Sequence, residues 1–271
     1  MKKMIIGFFA LTITGIALAF YAFFIEPKML TVDRHTLGSS NSQTAVKLLQ
    51  ISDIHLQKSY PTDQLKKIVE KVNEQEPDIV VFTGDLFDNF AAYGPVDETI
   101  ELLNSIQAPM GKFAVWGNHD YGGGAASVYA AVMANSGFQL LENEGVRLPV
   151  EGNSSLYLAG IDDSLFGAPS MEAAFNGHTS DDYTILLSHE PDVTEPAAAY
   201  GASLVLSGHS HGGQVRIPFL PVNTRLAEKY ISGFYSLGEN TKLYVNTGLG
   251  TTAIPVRFRV PPQISFFQLY I

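Results

Sequence analysis

Ser207-Gly-His-Ser-His-Gly-Gly-Gln214 sets two imidazoles, His209 and His211, two residues apart, between an apolar run and a pair of glycines. On an extended backbone alternate side chains share a face, so a strand end here would point both rings at one site. Such a pair is a metal-ligand arrangement that still needs carboxylates. A lone His-x-His is common in loops and carries little weight. Distribution raises it: of the 7 histidines, those at 55, 119, 189, 209 and 211 each sit beside a turn signal that ends an apolar run.

Working outward, those apolar runs have strand length and alternate with helical patterns. Strands are predicted over 46–51, 78–83 and 112–116, and helices over 62–75, 96–106 and 125–136. The second half is richer in strands, at 156–161, 183–188, 203–207, 242–246 and 264–269, with helices near 170–175 and 192–200. The pattern predicts α/β layers with at least one partly parallel sheet. The polar stretch Gly38-Ser-Ser-Asn-Ser-Gln43 reads as a linker or as a turn inside the domain.

Polar clusters follow these runs: Ser52-Asp-Ile-His55, Gly84-Asp85, Gly117-Asn-His-Asp120, His189 and Gly208-His-Ser-His211. In layered α/β folds ligands bind at the carboxyl ends of the strands, so these distant segments are predicted to converge. Gly84 and Gly117 precede candidate ligands, where a missing Cβ permits a sharp turn and a close approach.

With 271 residues, 46% of them hydrophobic, the chain can bury a substantial core. The net charge of -10 argues against nonspecific nucleic-acid binding, and no nucleic-acid partner is expected. Absence of cysteine excludes disulfides, thiolate metal sites and cysteine nucleophiles, leaving histidine, carboxylate and amide oxygen for Mn, Fe or Zn.

From Met4 to Ile25 no residue is charged, a length that can cross a hydrocarbon core of roughly 30 Å. The reading is an N-terminal transmembrane anchor over residues 1–25 and one domain over 26–271. Lys2 and Lys3 give a modest positive-inside bias, placing the protein in the cell membrane as a single-pass chain with its main domain extracytoplasmic. A cleaved signal peptide ending near Ala17-Leu-Ala19 is the competing reading.

Taken in order, the five polar clusters resemble the signature of the calcineurin-like metallophosphoesterases. The resemblance implies a four-layer αββα sandwich of two mixed sheets and a binuclear centre holding two divalent or trivalent ions. By position it implies Asp53, His55 and His211 for one ion, Asn118, His189 and His209 for the other, and Asp85 between them. His119 matches the family's substrate-facing histidine, with Asp120 expected to orient its ring and Asn118 also near substrate. Two cations about 3.5–4 Å apart can acidify a shared water and clamp phosphoryl oxygens, so no protein nucleophile is needed.

The implied function is hydrolysis of a phosphodiester or pyrophosphate. The membrane segment and the extended histidine loop are similar to a bacterial membrane-anchored branch that includes UDP-2,3-diacylglucosamine pyrophosphatase-like enzymes. A lipid-linked or cell-envelope substrate fits that branch, with Arg216 as a phosphate partner and Ile217 to Pro221 as an apolar contact. Two alternatives stay open: a tethered metal-binding or interaction protein without turnover, and a nuclease or phosphomonoesterase on the same scaffold. His35 and His178 fit no cluster and read as solvated loop residues.

Overall fold

The computed structural model describes residues 2–38, 45–58, 60–150, 155–222 and 224–271. The polar stretch after Gly38 lies outside the described residues.

Two six-stranded sheets form the centre. The first has the order β1 (Thr31–Gly38), β12 (Gln263–Tyr270), β2 (Ala45–Ile51), β3 (Ile79–Phe82), β4 (Gly111–Ala114) and β5 (Gln139–Leu140). The second runs β10 (Gly233–Ser236), β11 (Lys242–Val245), β9 (Leu204–Ser207), β8 (Asp182–Leu187), β7 (Ser155–Gly160) and β6 (Glu144–Pro149). Both are mixed. β2 to β5 are mutually parallel while β12 runs antiparallel to β2. β7, β8, β9 and β11 are parallel, with antiparallel edges at β6 and β10.

Period-two alternation explains the layering. In β2, Val46 and Leu48 join Ile185, Leu187, Leu204 and Leu206 between the sheets. Leu49 and Ile51 face the other way, against α2 (Thr62–Asn73), α3 (Val96–Asn104) and α5 (Tyr129–Asn135). Leu186 and Val205 point outward on the second sheet, under α6 (Met171–Ala174) and the 3-10 turn Glu195–Ala198. The result is an αββα sandwich whose second helical layer is thin.

All four strands that the sequence reading lacked, β1, β5, β6 and β10, are edge strands. An edge strand is buried on fewer sides and needs no continuous apolar run, so its pattern is weak. The helix expected over 125–136 begins only at Tyr129, because Val128 at φ -127° and ψ -20° departs from helical geometry just before it. The one expected over 192–200 shrinks to the Pro-containing 3-10 turn.

At the N-terminus α1 (Lys2–Phe20) buries no residue, and the helical run to Lys28 is long and apolar enough to cross a membrane. Its end is built into the domain: Ala22 and Glu26 are buried, Arg257 N–H donates to Ala22 O at 3.0 Å, and Val260 N–H donates to Glu26 Oε1.

Candidate metal centre

Loops leaving the carboxyl ends of β2, β3, β4, β8 and β9 meet at one place. The approach differs from the strand alternation expected of His209 and His211. Asp53, His55, Asp85, His209 and His211 all lie beyond their strands at φ between 50° and 66°. Left-handed backbone is costly for residues with a Cβ, and its clustering here marks a site that the surrounding structure holds in place. Paired loop hydrogen bonds do that holding: Asp53 N–H to Gly84 O, His55 N–H to Asp85 O, and Gly208 N–H to His189 O. Gly84 adopts φ 90°, and a Cβ there would lie 2.7 Å from His189 Nδ1.

The donors fall into two groups around one carboxylate oxygen. Asp85 Oδ2 is 3.4 Å from His55 Nε2 on one side and 3.2 Å from His189 Nε2 on the other. With His55 lie His211 Nε2 at 2.9 Å and Asp53 Oδ1, which is 3.6 Å from His211. With His189 lie Asn118 Oδ1 at 3.1 Å and His209 Nδ1 at 3.2 Å, and these last two are 2.9 Å apart. The outer faces of two rings are fixed by carbonyls: Thr83 O at His189 Nδ1, 2.7 Å, and Arg225 O at His209 Nε2, 2.6 Å. Such second partners set the tautomer and leave the inner nitrogen as a donor.

Charge within the cluster is unevenly shared. Burial would raise Asp53, yet His55, His211 and His189 hold its carboxyl below the usual range. Burial opposes the shift at Asp85 too, where His189, His55 and His119 keep it low. Against burial, Asp53, Asp88 and Asp85 push His55 up to about 9. His211 moves well down, because burial and the neighbouring His55 and Arg257 all disfavour its cation. The inward-facing Nε2 atoms of His55 and His211 lie 2.9 Å apart with the Asp53 and Asp85 carboxylates beside them, a donor set that suits a cation.

The structure separates the two residues expected to work as a pair. Asp120 is fully buried and its carboxylate accepts the N–H groups of Asp85, Leu86, Phe87 and Gly117. The carboxylate that meets the His119 ring at Nδ1 is instead Asp88, whose Oδ1 lies 3.3 Å from Nδ1 of both His119 and His55. The three-residue spacing from Asp85 was the available signal, because it returns the chain to the same loop. His55 holds the Asp88 carboxyl below its ordinary range.

A cavity of about 250 Å³ opens over the donors, lined also by Ser210, Gln214, Thr224 and Thr252. Arg216 is not among its lining residues. Its guanidinium is tied to Gly212 O and Ser232 Oγ, and it lines a neighbouring cavity with Ile217, Leu220 and Arg259. Arg257, unremarked in the sequence, is fully buried behind Asp53 and donates to the carbonyls of Thr247, Gly250 and Val260. His35 is not a solvated loop residue, whereas His178 does lie in a loop, half-buried. His35 lies in β1 against Phe234 and Tyr244, and His178 packs on Tyr157 and Phe175.

Residues 46–213, which carry every donor named above, match the calcineurin-like phosphoesterase family. The chain belongs to that family. The phosphoesterase is 38% identical over 254 residues to the uncharacterised metallophosphoesterase YkuE of Bacillus subtilis, covering 92% of this chain and 88% of that one. It is 28% identical over 303 residues to the UDP-2,3-diacylglucosamine pyrophosphatase LpxG of Chlamydia trachomatis, covering 90% of each. A Danio rerio transmembrane protein with metallophosphoesterase domain is 32% identical over 250 residues, covering 88% of this chain and 56% of the relative's length. The fold is shared with a dimetal phosphatase from Danio rerio, TM-score 0.51 at 11% identity, covering 76% of this chain and 88% of that one.

Proposed function

We propose that this phosphoesterase is a binuclear metal-dependent phosphohydrolase, held in the cell membrane by α1, that cleaves a phosphodiester or pyrophosphate on a lipid-linked or envelope substrate. The observation that carries the reading is the placement of Asp85 Oδ2 between two groups of inward-facing donors. Asp53, His55 and His211 would hold one ion, Asn118, His189 and His209 the other, and Asp85 both. Two such cations supply charge for the phosphoryl oxygens and acidify water for in-line attack.

The chain's own residues supply the rest. Asp88 takes the Nδ1 side of His119, which leaves Nε2 to meet the phosphoryl group or hand a proton to the leaving oxygen. Asp85 Oδ1 accepts the His119 N–H at 2.8 Å, so the ring is placed relative to the donors by its own backbone. Asp120 acts on the scaffold, gathering the amides of the Asp85 loop and Gly117 onto one carboxylate.

A lipid-linked substrate is supported by the resemblance to the diacylglucosamine pyrophosphatase, and the anchor by α1 and the relative named as transmembrane. The lysines at positions 2 and 3 favour an extracytoplasmic domain. The test uses full-length chain in detergent with Mn, assayed on an aryl phosphodiester, phospholipids and sugar-nucleotide lipids. Turnover that Asp85→Ala and His209→Ala abolish is expected, with the lipid substrates fastest. Full activity in both variants would sink the two-metal reading, and preference for soluble esters would sink the lipid one.

A further inference from the structure

Beside the metal cavity the chain exposes an apolar projection. Ile217, Phe219 and Leu220 stand in solvent with Ile254, and Phe219, at 103% relative exposure, contributes no packing at all. Such a cluster on one face marks an interaction surface rather than scattered surface residues.

Its place in the fold says what covers it. Gln214 donates to the carbonyls of Thr252 and Ile254, and the backbones of residues 214 and 216 pair with Phe258. That ties the 217–220 loop to the 251–259 loop. The second loop is in turn joined to the end of the apolar N-terminal run: Arg257 N–H meets Ala22 O, and Phe23 shares a cavity wall with Thr251 and Pro255. The two loops and the anchor's exit therefore form one continuous face.

Charge completes the pattern. Arg216 and Arg259 line one cavity of about 300 Å³ with Ile217, Pro218, Leu220 and Val222. Neither arginine has a carboxylate partner among the described residues, and Arg259 is exposed. Arginines beside apolar side chains suit the boundary between the phosphate layer of a bilayer and its acyl chains.

We propose that Ile217, Phe219, Leu220 and Ile254 dock into the bilayer that holds α1, with Arg216 and Arg259 on the phosphates of anionic lipids. This rests on the anchor reading above. Docking closes the gap between the metal cavity, lined by Gln214 and Thr252, and the lipid surface. A phosphoester then need rise only partly out of the leaflet to reach the donors.

The test places single tryptophans in the full chain reconstituted in vesicles, using the parent's buried Trp116 as background. Phe219→Trp is expected to lose about half of its added emission to brominated lipids, at an insertion depth of about 5–10 Å, and to be shielded from iodide. Tyr200→Trp, at the opposite end of β9 from the site, should respond to iodide alone. Adding phosphatidylglycerol to phosphatidylcholine should strengthen bromolipid quenching at Phe219→Trp, and Arg259→Glu should erase that gain. Quenching equal in both lipids, or a gain that survives Arg259→Glu, overturns the arginine contact. Phe9→Trp separates the two readings. If it is quenched by bromolipid while Phe219→Trp answers only to iodide, docking fails and the anchor stands; if neither is quenched, both fall. No activity is measured, so the phosphohydrolase reading is unaffected.

Discussion

Asp88→Asn keeps size and removes the charge that faces both His119 and His55. At 3.3 Å from His119 Nδ1, a full charge pair is worth about 1 kcal/mol in water and about 5 kcal/mol at an effective dielectric near 20. The two side chains are 33% and 19% exposed, which puts the pair between those limits, at about 2–3 kcal/mol. Lost in the transition state, that is a fall in kcat of about 30- to 150-fold. The same oxygen faces the outer nitrogen of His55, so metal affinity should also fall, by about 10-fold or more. Hydrolysis of an aryl phosphodiester across a Mn titration separates the effects, since saturating metal restores occupancy but not the alignment of His119. Asp120→Asn is the comparison: it strips acceptor capacity from four amides and should lower thermal stability by about 3 kcal/mol. Wild-type kcat in Asp88→Asn at saturating Mn would refute the pairing, as would a selective kcat defect in Asp120→Asn with stability intact.

Three further outcomes are expected. Asp182→Ala should cost about 2–4 kcal/mol in a denaturant titration, because the buried carboxylate gathers Arg147, Ser155 and Thr179 around the start of β8. In Gly208→Ala the new methyl would collide with Ser52 Oγ and Asp53 Oδ2, and calorimetric Mn binding should weaken at least about 10-fold; unchanged affinity would show that Asp53 can move freely. Burial beside Glu190 pushes the Asp163 carboxyl up to about 7, so the folded metal-free chain holds a proton that the unfolded chain releases near pH 4. That stabilisation is complete below about pH 4 and lost as pH rises through about 7, and melting curves of Asp163→Asn should lack this slope.

The central strands and the seven side chains that converge at the candidate centre were legible because each leaves a local trace. A strand buried on both faces must be an apolar run, and a ligand at its end must be polar beside a turn. Edge strands β1, β5, β6 and β10 left none, since solvent on one side relaxes the pattern. The route by which the histidines converge was also hidden. The left-handed backbone of His55, His209 and His211 is imposed by contacts between loops far apart in sequence, as where Gly208 meets the carbonyl of His189. For the same reason Asp120 and Asp88 exchanged parts: adjacency favoured Asp120, whereas space brought Asp88 to the ring. Arg257 looked like any late basic residue, and only the fold shows it enclosed by carbonyls behind Asp53.

Metal stoichiometry of the full-length chain tests the account most directly. Loaded with Mn and freed of excess, the parent should hold two ions per chain by elemental analysis. His211→Ala and His209→Ala should each lower that count toward one, and Asp85→Ala should lower it furthest, with phosphodiester hydrolysis falling in step. A parent that turns over substrate fully with one ion, or an Asp85→Ala chain that keeps two, would contradict the binuclear centre.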